Sequence, residues 1–253
     1  MTKLTAILLS LFLLILAGNA YSQDMNPEAG ILYNKGNGLL KAGNYNGAIE
    51  NYEKALAIEK DYRIYYQKGV AQKKTRDLEG AKKSFEDCIK LKNDFSGSYN
   101  AIGGVYFQMG NYLEAIKNFE KVLTLTNKAS ILKKVKKNLS LAYSKLGNQE
   151  LTNGNAENGV DYLTKAVKYS NYDAAYLSLA KVYSELGEWD KSIAASEDAL
   201  KHRSKISTGG PYYYMGISYK GKGDKDKAIN MFNKAKGDVT YRKTAEYELS
   251  LLN

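Results

Sequence analysis

Apolar residues recur every three or four positions from about residue 29 to the end of the chain, with polar residues between them, the period of amphipathic helices. Within that pattern one frame returns: GNYNGAIENYEKAL at 43–56, GNYLEAIKNFEKVL at 110–123, GNAENGVDYLTKAV at 154–167, GEWDKSIAASEDAL at 187–200 and GDKDKAINMFNKAK at 223–236. RDLEGAKKSFEDCI at 76–89 is a sixth copy, with Arg76 in place of the leading Gly. Each copy has a small residue at one point: Ala48, Ala81, Ala115, Gly159, Ser192 and Ala228, in steps of 33, 34, 44, 33 and 36 residues. Twelve residues before each stands another small one: Gly36, Gly69, Gly103, Gly147, Ala180 and Gly216.

This spacing predicts two helices of about fourteen residues per repeat, joined by a tight turn. A small residue on each helix lets the two axes approach, where a bulky side chain would hold them apart. Large residues fill the surroundings. Leu32, Tyr65, Tyr99, Tyr143, Tyr176 and Tyr212 lie four before the first small position, and Tyr52, Phe85, Phe119, Leu163, Ser196 and Phe232 four after the second. Gly43, Gly110 and Gly187 can take the left-handed conformation that ends the first helix.

The pattern resembles the tetratricopeptide repeat, with Gly at the eighth position, Ala at the twentieth and an aromatic at the twenty-fourth. The twenty-seventh, small in that family, is Ala55, Cys88, Val122, Ala166, Ala199 and Ala235. The resemblance implies an all-α, right-handed α-solenoid of about six helix-turn-helix repeats with a C-terminal capping helix. The repeats fall at about 29–61, 62–95, 96–127, 140–172, 173–205 and 209–239, with a helical extension at 128–139 and the cap at 240–253. In the extension Ile131, Val135 and Leu139 recur every four while Lys133, Lys134, Lys136 and Lys137 face away. Tyr241, Ala245, Leu249 and Leu252 would cover the open apolar end of the stack. The family's Pro near each repeat end is replaced by Lys60, Asn93, Asn127, Asn171, Ser204 and Thr240, most of which could cap the next helix.

The first residues read differently. Residues 1–22, MTKLTAILLSLFLLILAGNAYS, carry a basic start, an apolar run and small residues suited to cleavage, so a signal peptide is expected, followed by a short unstructured lead at 23–28. The expected product is exported, periplasmic or secreted, without a lipid anchor, because Cys88 is far from the cleavage site. Loss of Lys3 with the leader leaves 36 basic against 27 acidic side chains, a net charge of +9 that favours acidic partners. Export argues against nucleic acid.

Composition narrows the chemistry. One Cys and one His leave no Cys-based or His-rich metal site and no disulfide framework. Cys88 sits at a packing position, His202 suits a helix C-terminus, and Glu86/Asp87 and Glu197/Asp198 read as solvated faces. No glycine-rich stretch fits a phosphate loop. No catalytic residue, cofactor or metal is expected, and the enzyme alternative has no supporting motif.

In the family, ligands lie on a concave face lined by fixed positions of each first helix. The resemblance places there Tyr33, Asn37, Lys41, Arg63, Tyr66, Lys73, Lys74, Asn100, Phe107, Gln108, Tyr213 and Lys220. Tyrosines among lysines suit a groove for a protein or peptide segment, since Tyr adds contact area at small entropic cost; packing between repeats is the alternative. The carboxylate clamp of chaperone-binding relatives is missing, with Tyr33, Asn100 and Gly104 at its basic positions. The resulting expectation is a non-enzymatic scaffold or adaptor of the bacterial envelope. The alternative is a basic binder of anionic lipid or cell-wall polymer acting through Lys133 to Lys137.

Overall fold

In the computed structural model residues 25–252 are described, and the expected leader at 1–22 lies outside them. Among the described residues there are thirteen α-helices and no strand. They are α1 (Pro27–Lys41), α2 (Tyr45–Ile58), α3 (Tyr62–Lys74), α4 (Leu78–Leu91), α5 (Ser96–Gln108), α6 (Tyr112–Leu125) and α7 (Ala129–Thr152). After these come α8 (Ala156–Tyr169), α9 (Asp173–Glu185), α10 (Trp189–Lys201), α11 (Gly209–Gly221), α12 (Lys225–Ala235) and α13 (Arg242–Ser250). The chain divides into two compact units, with the boundary in the sequence between Met109 and Gly110.

In the first unit α1 packs along α2 and α3 along α4, with α5 against α4. In the second, α7/α8, α9/α10 and α11/α12 form the equivalent pairs, α6 packs on α7, and α13 packs on α12. Successive first helices also touch: α1 with α3 and α3 with α5 in one unit, α7 with α9 and α9 with α11 in the other. The first helices therefore form a continuous layer within each unit.

The small positions act as the spacing predicts. A Cβ on Gly36 would stand 2.5 Å from the Tyr52 ring, on Gly69 2.7 Å from Phe85, and on Gly216 2.6 Å from Phe232. In these three repeats the first helix lies against the aromatic side chain four residues beyond the second small position. The fifth repeat changes both partners together. Ala180 replaces Gly, Ser196 replaces the aromatic, and Ser192 donates its hydroxyl to the Ala180 carbonyl at 2.8 Å. Ser196 is fully buried there, and its hydroxyl finds no hydrogen-bond partner. The twenty-seventh positions, Ala55, Cys88, Val122, Ala166, Ala199 and Ala235, are all at 0% exposure, so this position is buried in every repeat.

Turns within pairs share one construction. Gly43, Gly110, Gly154, Gly187 and Gly223 have φ between 74° and 83°, and Arg76 holds the same place at φ 65°, a conformation that costs a residue with a Cβ. The following residue then caps the second helix. Asn44, Asp77, Asn111 and Asp224 accept from the backbone N–H groups of Gly47, Gly80, Glu114 and Lys227.

Caps between repeats depart from expectation. The next helix starts one to four residues later than the proline-replacing positions would require, and Phe95, Lys128, Tyr172 and Thr208 stand at the N-caps of α5, α7, α9 and α11 without a side-chain cap bond. Asp61, beside Lys60, is the exception and accepts from Arg63 N–H. Asn171 instead accepts from the Tyr176 hydroxyl at 3.3 Å, and Ser204 turns to Asp173. At the start of the chain Met25 is buried in the first core cluster and Asn26 caps α1, so the ordered fold begins before the first repeat.

Candidate functional site

Ten of the twelve groove candidates lie in the first unit and two in the second. Tyr33 of α1 and Tyr66 of α3 occupy equivalent places and are half-buried. Tyr33 lies 6.1 Å from Tyr52, and Tyr66 packs edge-on to Phe95 at 5.1 Å and 5.8 Å from Phe85. Burial pushes the Tyr66 phenol above its usual pKa, so it stays a neutral hydroxyl. Lys41 and Lys74 sit eight residues beyond these tyrosines, both exposed, so one Tyr–Lys arrangement is displayed twice on adjacent helices.

Other candidates have structural commitments. Asn37 accepts the Tyr52 hydroxyl hydrogen bond at 2.8 Å, tying α1 to α2. Arg63 holds the Asp61 carboxylate, its Nη2 2.7 Å away, which raises the guanidinium pKa further. Lys73 points its ammonium toward Gly104, where a Cβ would be 2.8 Å from Nζ. Asn100 and Phe107 on α5 are half-buried, and Gln108 at its end is exposed.

In the second unit Tyr213 is surrounded by Tyr214, Phe232 and Tyr241 at 5.3, 5.9 and 5.5 Å. Lys220 pairs with Glu248 of α13 at 2.6 Å. The capping helix thus holds both side chains that repeat position alone would assign to a ligand. Glu248, in the last turns of the chain, was the available sequence signal.

Residues considered for chemistry pack instead. Cys88 is fully buried, its Sγ 2.9 Å from the Ser98 hydroxyl, and burial pushes the thiol pKa up. A protonated buried thiol is a poor nucleophile. His202 stacks on Tyr176 at 5.7 Å. Among the described residues no three His, Cys, Asp or Glu side chains are grouped to hold a metal, and no helix is long and apolar enough to cross a membrane.

Two features escaped the sequence reading. An open hollow of about 330 Å³ in the first unit is lined by Leu56 and Tyr65, by Lys60, Lys68 and Lys83, and by Glu53 and Asp87. Lys68 is committed to Glu53 at 2.8 Å. Asp173 is fully buried, and one of its oxygens accepts from the N–H groups of Ser204, Lys205 and Ile206 at 2.6, 2.7 and 3.2 Å. Burial alone would raise its pKa, but these donors and the Ser204 hydroxyl together hold it down at about 2. Nothing in the spacing joins Asp173 to a loop thirty residues away.

Family models described as tetratricopeptide repeat match residues 29–62, 62–95, 96–129 and 212–238, together about half of the chain. No curated protein matches the sequence. Among solved structures, a crystal structure of MamA protein is 26% identical and superposes with a TM-score of 0.50, covering 74% of this chain and 96% of its own. YrrB, described as a TPR protein with an unusual peptide-binding site, is 20% identical at TM-score 0.52, covering 78% and 96%. PilF of Pseudomonas aeruginosa is 15% identical at TM-score 0.51, covering 87% and 97%. The last two likenesses concern the fold alone.

Proposed function

We propose that this chain, which belongs to the tetratricopeptide-repeat family, is a non-enzymatic scaffold that holds a protein segment on the layer of first helices. The observation that carries this reading is the twice-displayed Tyr–Lys arrangement, Tyr33 with Lys41 and Tyr66 with Lys74, on touching helices α1 and α3. The half-buried rings offer rigid contact area, and the exposed ammonium groups select a partner with acidic character. Lys73, Gln108 and the α5 side chains Asn100 and Phe107 continue the surface in the same unit. Tyr213 and Lys220, engaged by α13, play no part in it.

The scaffold acts in the bacterial envelope, with residues 1–22 removed on export. Sequencing the N-terminus of the protein from an envelope fraction tests this, and a chain still starting at Met1 in the cytosol would overturn it. For the binding surface, the test is affinity capture from the native envelope with wild type and with the double variant Lys41→Glu, Lys74→Glu. Both positions are exposed, so the fold survives the change. A protein retained by the wild type and reduced at least about tenfold on the variant is the expected result. Equal retention would move the site elsewhere, and no retained protein would overturn the scaffold.

A further inference from the structure

Helix α7 carries a block of like charge. Lys133, Lys134, Lys136 and Lys137 fall at its fifth to ninth residues, just past its first turn. The first turn of α7 has no acidic residue, and its N-cap makes no side-chain hydrogen bond. The four lysines are exposed and crowd one another at three- and four-residue spacing, an arrangement that weakens a helix.

Six lysines on other helices are neutralised within their own helix or its cap. Lys54, Lys82, Lys90, Lys117, Lys165 and Lys227 each pair with an Asp or Glu three or four residues earlier. The residues at those offsets from the α7 lysines are Ala129, Ser130, Ile131, Leu132, Lys133 and Lys134. None of the four lysines has an ion pair among the described residues. Their backbones span about 6 Å of helix rise, a compact block of unneutralised charge.

We infer that this block is a docking site for an acidic stretch, rich in Asp and Glu, of a partner protein. The chemistry of the face separates this occupant from others. A helix held firmly on a bilayer adds inserted apolar side chains to its charge, and no large apolar side chain of α7 is exposed, so a membrane would be held by the lysines' charge alone. A single-stranded nucleic acid is gripped by base stacking on aromatic rings or Arg as well as by charge, and the face has neither group. Lysines alone are point charges without directional demands, which suits a flexible run of carboxylates. The inference rests on the scaffold reading and names its partner's chemistry, but it does not use the α1/α3 surface.

The test is a fluorescence-anisotropy titration of the full chain with a labelled ten-residue polyglutamate. Wild type is expected to bind at about 50 mM salt and to weaken as salt screens the charges. The variant K133Q/K134Q/K136Q/K137Q is expected to lose at least about tenfold in affinity, while its melting temperature rises by about 2–4 °C as repulsion is relieved. K201Q/K225Q/K236Q/K243Q removes the same net charge from exposed positions elsewhere and is expected to change affinity by less than about threefold. Equal losses in the two variants, or no binding by wild type, would overturn the site. So would lysine-dependent sedimentation with phosphatidylglycerol vesicles that polyglutamate fails to displace. Envelope capture on the α1/α3 surface is a separate measurement, so failure there and failure here are told apart.

Discussion

At the scale of single residues, the fold depends on whether a Cβ is present. Gly69 lies where a Cβ would press on the Phe85 ring at 2.7 Å, and Phe85 is fully buried with nowhere to retreat. Gly69→Ala is therefore expected to cost about 1–3 kcal/mol in a urea melt, whereas an alanine in an open helical position is neutral or better. Arg76 presents the reverse case. It alone among the intra-pair turn residues has a Cβ at positive φ, and Arg76→Gly is expected to gain about 0.5–1 kcal/mol in the same melt. The identity of these residues was readable in advance, because each stands at a fixed offset within a repeated frame. The side chains at Asn37 and Arg63 were not. Their positions suggested a ligand, while the Tyr52 hydroxyl and the Asp61 carboxylate already occupy them.

At the scale of elements, what joins one repeat to the next is less regular than what joins the helices within a repeat. Asp173 at the start of α9 gathers three N–H groups from the loop between α10 and α11, doing for that junction what a proline would do by stiffness. Its carboxyl titrates at about 2 in the fold against 3.8 as its ordinary value. A depressed carboxylate stabilises the fold above the ordinary value, and that contribution is lost as the pH falls from about 4 through about 2. The lost share is about 2 kcal/mol, and Asp173→Asn should flatten this part of a stability–pH profile measured by chemical denaturation. Unchanged acid sensitivity in the variant would show that another carboxylate carries it. Sequence placed the pairs of helices but misplaced these junction caps, because a cap depends on where the chain leaves one helix and enters the next.

At the scale of the molecule, the described helices of each unit pack on near neighbours in the sequence, so stability is distributed repeat by repeat. The fifth repeat is the weakest link on this view. Ser196 replaces a buried aromatic and leaves an unpaired hydroxyl in the core, where the second repeat has Phe85. Amide hydrogen exchange is expected to be faster in α9 and α10 than in α3 and α4, and the opposite order would contradict a neighbour-by-neighbour account. The sequence alone determined the repeat, its helix pairs and their close contacts, because each is a local matter of spacing, small residues and turn-forming glycine. Only the tertiary structure decided which repeat positions remain available. Lys41 and Lys74 stay open, whereas Tyr213 and Lys220 are taken by a helix that follows them by some thirty residues. Position within a repeat says which way a side chain faces, but whether another part of the chain already meets it there is a long-range fact that no local pattern contains.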